Sequence, residues 1–177
     1  MRIITGKYKG RHFEVPRSFK ARPTTDFAKE NIFNVMMGYM DFEGKSALDL
    51  FAGTGSISLE LLSRGCNEVV SVELDRDHAR FISQCTAKLA VENHVLIRGD
   101  VFRYLKSCRR QFDIIFADPP YALPTLADVP DKALPLLAPE GVMIMEHGKQ
   151  HDFSSHPLFR EHRAYGSVNF SIFRNNA

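Results

Sequence analysis

From residue 46 to residue 146 the chain alternates short apolar runs with segments of helical pattern. The apolar runs occupy residues 46–51, 68–74, 94–98, 112–117 and 141–146. Helical patterns fill the intervals at residues 56–64, 76–91, 101–107 and 125–137. Strands and helices that alternate in this way form a parallel sheet with helices on both faces. We therefore predict an α/β fold for this part of the chain.

The segments on either side of this region have a different pattern. Residues 2–5 and 11–15 predict two short strands of a hairpin, because two glycines lie between them. A helix is predicted from Thr24 or Thr25 to about residue 37, with apolar residues along one face. Residues 158–174 predict an antiparallel hairpin at the edge of the sheet. We accordingly divide the chain into an N-terminal extension, residues 1–40, and a main domain, residues 41–177.

Basic side chains are concentrated in the N-terminal extension. The first 22 residues contain seven Lys or Arg and one acidic residue, whereas the whole chain has a net charge of +2. Such asymmetry is typical of a segment that contacts nucleic acid, although a solvated basic hairpin has the same composition. The candidate nucleic-acid-binding residues are Lys7, Lys9, Arg11 and Arg22.

Several classes of protein are disfavoured by what the sequence lacks. No apolar run approaches the about 18 residues that span a bilayer, and the first residues lack the apolar stretch of a secretory signal. The three cysteines form no CxxC pair, and the seven histidines show no metal-ligand spacing. We expect a cytoplasmic protein without a metal, and a monomer, since no dimerisation signal is present.

A glycine-containing turn follows the first predicted strand of the main domain. Gly53 and Gly55 lie between this strand and a helix, where backbone N–H groups can approach a ligand. Ser58 replaces the third glycine of the dinucleotide pattern GxGxxG, which weakens an NAD prediction. Acidic residues end the next two strands, at the edge where α/β sheets bind ligands. A tight turn, a solvated strand end and a helix N-cap are the alternatives. The candidate cofactor-binding residues are Asp49, Phe51, Gly53, Gly55, Glu73, Asp100 and Val101.

The tetrapeptide Asp118-Pro119-Pro120-Tyr121 directly follows the fourth predicted strand. Two prolines end the strand and leave carbonyl groups without strand partners, so the carbonyls and the Asp118 carboxylate form a cluster of acceptors. The amino group of a nucleobase offers matching donors, and Tyr121 offers a ring on which the base can stack. A plain Asp-Pro turn is the alternative. We predict that these four residues are catalytic, and the tetrapeptide resembles that of amino-group methyltransferases.

Further motifs extend this resemblance over nearly the whole chain. They are Arg2-Ile3-Ile4-Thr5-Gly6, Arg22-Pro23-Thr24-Thr25-Asp26 and Leu48-Asp49-Leu50-Phe51-Ala52-Gly53-Thr54-Gly55. Together they resemble the RsmD family, which methylates a guanine N2 in small-subunit (16S) ribosomal RNA. The resemblance implies a Rossmann-like fold with a seven-stranded sheet, S-adenosylmethionine as cofactor, and ribosomal RNA or a small-subunit particle as partner. It implies that residues 118–121 bind the base, Glu73 the cofactor ribose and Asp100 its adenine. The basic hairpin and Arg22 would then contact RNA.

Other functions stay open on the sequence alone. A DNA amino-methyltransferase acting on adenine N6 or cytosine N4 has a similar tetrapeptide, but this chain lacks an additional target-recognition domain. Protein-glutamine methyltransferases resemble this site and usually begin the tetrapeptide with Asn, where this chain has Asp118. A non-catalytic RNA-binding assembly factor is the third alternative. Cys85 lies on the apolar face of its predicted helix, and we interpret it as a core residue.

Overall fold

The chain forms one seven-stranded, mostly parallel sheet in the computed structural model, which describes residues 1–176. The strand order is β3-β2-β1-β4-β5-β7-β6, and only β7 runs antiparallel to its neighbours. The strands are β1 (Ser46–Leu50), β2 (Glu68–Glu73), β3 (His94–Arg98), β4 (Phe112–Ala117), β5 (Leu137–His147), β6 (Phe159–Tyr165) and β7 (Val168–Arg174). This topology confirms the predicted α/β fold and the C-terminal hairpin.

Five α-helices connect or precede these strands. They are α1 (Asp26–Met37), α2 (Ser56–Ser63), α3 (Arg76–Lys88), α4 (Val101–Ser107) and α5 (Val129–Ala133). Side-chain caps fix three of their starts, since the Thr25, Asp75 and Asp100 side chains each accept a hydrogen bond from a backbone N–H of the first turn. The predicted helices at residues 56–64, 76–91 and 101–107 are therefore present, with small differences at their ends.

The helical stretch predicted near residues 125–137 is present, but in three short pieces. The chain there forms a 3-10 turn, the short helix α5 and a second 3-10 turn, Leu134–Leu136. Pro130 and Pro135 lie within this stretch. Each proline lies in the first turn of its helical piece, where its missing N–H is not needed, whereas in the interior of one longer α-helix it would clash with the carbonyl four residues earlier.

The N-terminal hairpin contains one isolated antiparallel bridge, Arg2 to His12, instead of two strands. The backbone N–H groups of Ile4 and Thr5 donate to the two carboxylate oxygens of Glu60 in α2, at 2.9 and 3.1 Å. These donors are therefore used by a helix and not by a partner strand. The predicted strands at residues 2–5 and 11–15 are therefore wrong, because only one bridge forms between these two segments.

The N-terminal extension packs into the same core as the sheet. Ile3, Phe13 and Phe33 belong to the apolar cluster that covers one sheet face, together with the buried side chains of α2 and α3. A second cluster on the opposite face is built from Leu48, Phe112 and other side chains of the strands, α4 and α5. Cys85 is buried in the first cluster, which confirms its interpretation as a core residue. Within residues 1–176, no helix has the length and apolar character needed to span a membrane.

Candidate active site

A cavity of about 720 Å³ opens at the carboxyl ends of the central strands. Its volume lies in the range of about 300–1,000 Å³ that is usual for small-molecule sites. The predicted site residues in its wall are Arg22, Asp49, Phe51, Gly53, Glu73, Asp100, Val101, Asp118, Pro119, Pro120 and Tyr121. Gly55, Lys7, Lys9 and Arg11 do not line it. The structure thus brings most of the predicted residues to one place.

The glycine turn positions the acidic residue of the next strand. The Gly53 N–H donates to Glu73 Oε1 at 2.7 Å, and the Asp75 N–H donates to Oε2 at 2.8 Å. Glu73 is only 8% exposed and His78 Nδ1 lies 3.7 Å from its Oε2. Each carboxylate oxygen has more than one acceptor site, so Glu73 remains able to accept hydrogen bonds from a ligand in the cavity.

Gly55 has a role in packing at the start of α2. Its φ of +81° belongs to the left-handed region, and a Cβ there would lie 2.9 Å from Cγ1 of Ile82. Only glycine satisfies both constraints without strain. Gly53, with φ +58°, is the glycine whose backbone faces the cavity.

Asp49 is held by a buried chain of polar groups. The Ser58 hydroxyl donates to Asp49 Oδ2 at 2.6 Å and lies 2.6 Å from the Ser71 hydroxyl, which lies 2.7 Å from His94 Nε2. Burial raises the pKa of Asp49 to about 7, while the hydrogen bond from Ser58 opposes the rise. Ser58 therefore replaces the third glycine of the dinucleotide pattern because its hydroxyl holds this carboxyl group.

Asp100 combines two of the roles considered for it. Its carboxylate caps α4 by accepting the Arg103 N–H at 2.9 Å, and the residue also lines the cavity. The rings of Phe51 and Phe102 also line the cavity, where they form an apolar wall with their centroids 6.2 Å apart. A larger open depression of about 1100 Å³ on the outer side of α4 shares only Asp100 and Phe102 with the cavity.

The tetrapeptide at residues 118–121 forms the opposite wall. The Asp118 N–H donates to the Leu50 carbonyl at 3.2 Å, which fixes the end of β4 against β1. Pro119 is buried, whereas Tyr121 is 44% exposed and its hydroxyl donates to Oε2 of Glu146 at 3.2 Å. The arrangement leaves a half-buried carboxyl group and an accessible ring side by side.

Glu146, near the end of β5, does not line the cavity but contacts its wall through Tyr121, and sequence reasoning missed it. Burial raises the pKa of Glu146 above its usual value. Burial, the neighbouring Glu146 and the charge of Asp49 raise the pKa of Asp118 well above its usual value. The only sequence signal was an acidic residue after the apolar run of residues 141–145, which a solvated strand end shows as well.

The basic extension borders the cavity with one segment only. Residues 20–24 line its mouth, and the guanidinium of Arg22 donates to the carbonyls of Pro16 and Arg17 at 3.4 and 3.1 Å. Lys7, Lys9 and Arg11 are exposed on the loop that is anchored to α2. No group of three or more His, Cys, Asp or Glu able to hold a metal occurs in the described part of the chain.

The sheet order and the acidic residues at the ends of β1, β2 and β4 are those of a Rossmann-like methyltransferase fold. A family model described as "Conserved hypothetical protein 95" matches residues 1–174. The chain belongs to this family, which is the RsmD family that the sequence motifs resemble.

Individual relatives agree with this assignment. The chain is 35% identical over 160 residues to the Bacillus subtilis protein named "Putative rRNA methyltransferase YlbH", covering 85% of this chain and 84% of that one. It is 38% identical over 125 residues to "Ribosomal RNA small subunit methyltransferase D" of Haemophilus influenzae, covering 68% of this chain and 64% of that one. The solved structure of "Putative methyltransferase yhhF" from Escherichia coli superposes with a TM-score of 0.88 at 25% identity and covers 100% of this chain and 98% of that one.

Proposed function

We propose that this protein transfers a methyl group from S-adenosylmethionine to the exocyclic N2 of a guanine in small-subunit (16S) ribosomal RNA. The observation that carries the proposal is the tetrapeptide at residues 118–121, which lines the same cavity as the acidic residues of β1 and β2. The name "Ribosomal RNA small subunit methyltransferase D" of several relatives supports the choice of substrate.

The cavity has the chemistry that this cofactor requires. Glu73 is held by two backbone N–H groups and is suited to accept the ribose hydroxyls. Asp100 and the Phe51 and Phe102 rings form a wall suited to the adenine. Asp49 adds negative charge where a positively charged ligand gains from it. When bound, the cofactor supplies an electrophilic methyl group on a positively charged sulfur.

The residues of the tetrapeptide solve the problem of a weak nucleophile. The lone pair of an exocyclic amine is delocalised into the ring, so the nitrogen must be oriented before it attacks. The Asp118 carboxyl and the Pro119 carbonyl each accept a hydrogen bond from one N–H of the amine, which orients the nitrogen toward the methyl group. The same acceptors stabilise the positive charge that grows on nitrogen during attack. Tyr121, which is 44% exposed, offers the ring on which the base stacks.

The basic extension supplies a surface for the RNA backbone. Arg22 stands at the cavity mouth, while Lys7, Lys9 and Arg11 are exposed on the same N-terminal segment. Lysine and arginine side chains that contact phosphates provide affinity without base specificity. We propose that residues 1–40 contact RNA and that residues 41–177 carry out catalysis. We further propose that the protein is cytoplasmic, since three free cysteines suit a reducing compartment. We also propose that it acts as a monomer.

The test is identification of the methylated nucleoside. The protein is incubated with S-adenosylmethionine carrying a labelled methyl group and with small-subunit particles, naked ribosomal RNA or duplex DNA. Each nucleic acid is then digested and analysed by mass spectrometry. We expect N2-methylguanosine from the ribosomal substrates and no label in DNA. Label in methyladenine or methylcytosine would contradict the guanine assignment, and label in none of them would contradict the nucleic-acid substrate.

A further inference from the structure

Asp118, in the wall of the cavity, and Glu146 occupy adjacent positions along neighbouring strands. Ala117 of β4 pairs with Met145 of β5, so Asp118 and Glu146 are the next residues along the two strands. The charge of Glu146 raises the pKa of Asp118, so the two carboxyl groups lie close together. Two ionised carboxylates repel each other and have no proton to donate, so a hydrogen bond between them forms only if the pair retains one proton.

The other contacts of Glu146 leave no different source for that proton. Its Oε2 accepts the Tyr121 hydroxyl at 3.2 Å. Its Oε1 is fully buried, and no N–H or O–H group among residues 1–176 donates to it. A buried acceptor without a donor is costly, and a proton shared with Asp118 removes that cost.

We propose that Glu146 is a positioning residue that shares one proton with Asp118 and makes the pair the acceptor of the proton that leaves the target nitrogen. The identity of that nitrogen as guanine N2 rests on the proposed function. Asp118 contacts the amine, and Glu146 acts through Asp118. The hydrogen bond from Tyr121 joins the stacking ring to the same pair.

The groups around the pair favour retention of a proton. Asp49 of β1 adds negative charge next to Asp118, and Glu73 of β2 adds negative charge next to Asp49. On β7 the residue opposite Glu146 is Phe170, which does not titrate. Burial raises the pKa of both carboxyls, the charges of Glu146 and Asp49 raise that of Asp118 further, and the Tyr121 hydrogen bond opposes the rise at Glu146. These influences favour a pair that retains one proton.

The proposed step balances in atoms and charge. The amine nitrogen forms a bond to the methyl carbon while the methyl–sulfur bond breaks and its electron pair remains on sulfur. The nitrogen becomes positively charged and releases one N–H proton to the ionised member of the pair. The pair then holds two protons and returns one to water. A carboxyl pair with a raised pKa is a better proton acceptor for this step than an ordinary aspartate.

Two substitutions move the titration of the pair in opposite directions. Glu146→Gln removes the neighbouring charge and supplies an amide donor to Asp118, so the acid limb of the transfer rate should move down by at least about one pH unit. Tyr121→Phe removes the hydrogen bond that favours ionised Glu146, so the acid limb should move up. The matched control is Glu161→Gln, because Glu161 also accepts a tyrosine hydroxyl, that of Tyr39 at 2.7 Å, but lies on β6 outside the cavity.

Two measurements test the proposal. The first is the single-turnover rate of methyl transfer from about pH 5 to about pH 9 for the four proteins. The second is an infrared titration of the protonated-carboxyl band in the ligand-free protein, which requires no substrate. We expect the same opposite shifts in both, with Glu161→Gln unchanged from wild type.

Coincident titrations in wild type, Glu146→Gln and Tyr121→Phe would overturn the proposal. If Glu146→Gln does not fold, the upward shift in Tyr121→Phe decides the question, because that side chain is partly exposed. Failure of the proposed function is distinguishable from failure of this inference. A product other than N2-methylguanosine refutes the former, while the infrared titration still reports whether the carboxyl pair shares a proton.

Discussion

Glu60 in α2 is the buried acceptor on which the docking of the N-terminal extension depends. Its carboxylate accepts the N–H groups of Ile4 and Thr5, and it pairs with Arg64 at 2.9 Å and with Lys29 at 3.6 Å. The side chains of Glu60 and Lys29 are both almost fully buried. Glu60→Gln removes the negative charge and leaves one acceptor oxygen where two existed.

The expected loss of stability can be worked out from these contacts. Breaking a buried ion pair on one side costs about 3–5 kcal/mol, because the remaining charge stays uncompensated. One charge-assisted hydrogen bond to the backbone, about 1.5–3 kcal/mol, is lost as well. Burial lowers the pKa of Lys29, so its deprotonation in the variant offsets part of the sum. We therefore expect a net loss of about 3–5 kcal/mol, which is about 6–20 °C in Tm for a chain of this size.

Urea denaturation monitored by circular dichroism measures this loss directly. Glu68→Gln is the matched control, because Glu68 pairs with Arg110 on the surface, where an ion pair contributes at most about 1 kcal/mol. Hydrogen exchange at the Ile4 and Thr5 amides reports whether the extension is released. A loss below about 1 kcal/mol in Glu60→Gln, equal to that of the control, would refute the reasoning.

Three further predictions concern ligand binding. Neutralising Lys7, Lys9 and Arg11, the exposed basic residues of the extension, should weaken RNA binding and reduce the slope of log affinity against log salt by about 2–3. An unchanged slope in filter binding would exclude these residues from the interface. Glu73→Gln should raise the cofactor Kd by about 10–100-fold in calorimetry, because the amide NH2 would face one of the two backbone N–H groups that the carboxylate now accepts. A Kd within about twofold of wild type would contradict the role of Glu73. Because the pKa of Asp49 is about 7 and a cationic ligand favours its ionised form, cofactor binding should release a proton and tighten as pH rises through this value. Ser58→Ala should move the pH midpoint of this effect upward, because the hydrogen bond that favours ionised Asp49 is lost. If calorimetry gave the same binding enthalpy in buffers of different ionisation enthalpy, no proton would be released and the coupling would be contradicted.

The sheet and the cavity wall were predictable because periodicity and motif spacing are local properties of the sequence. The bounds of the predicted strands at residues 46–51 and 112–117 agree with β1 and β4 to within one residue. The carboxyl ends of parallel strands meet at one edge, so Asp49, Glu73 and Asp118 were expected to converge, and they do.

Other features depend on contacts between residues far apart in the chain. The backbone donors of Ile4 and Thr5 find their acceptor at Glu60, and no local pattern distinguishes this from strand pairing. Glu146 has the sequence pattern of a solvated strand end, and its burial results from packing against Asp118 and Tyr121. Ser58 was noted only as a departure from the glycine pattern, and its bond to Asp49 is visible only in three dimensions.

The most direct test of the central claim separates methyl transfer from cofactor binding at Asp118. Wild type and Asp118→Ala are compared by calorimetry with S-adenosylmethionine and by single-turnover transfer to ribosomal RNA. If Asp118 orients the amine, transfer falls by at least about 100-fold, while the cofactor Kd stays within a few-fold. Transfer at the wild-type rate in Asp118→Ala would contradict the claim that this tetrapeptide carries the reaction.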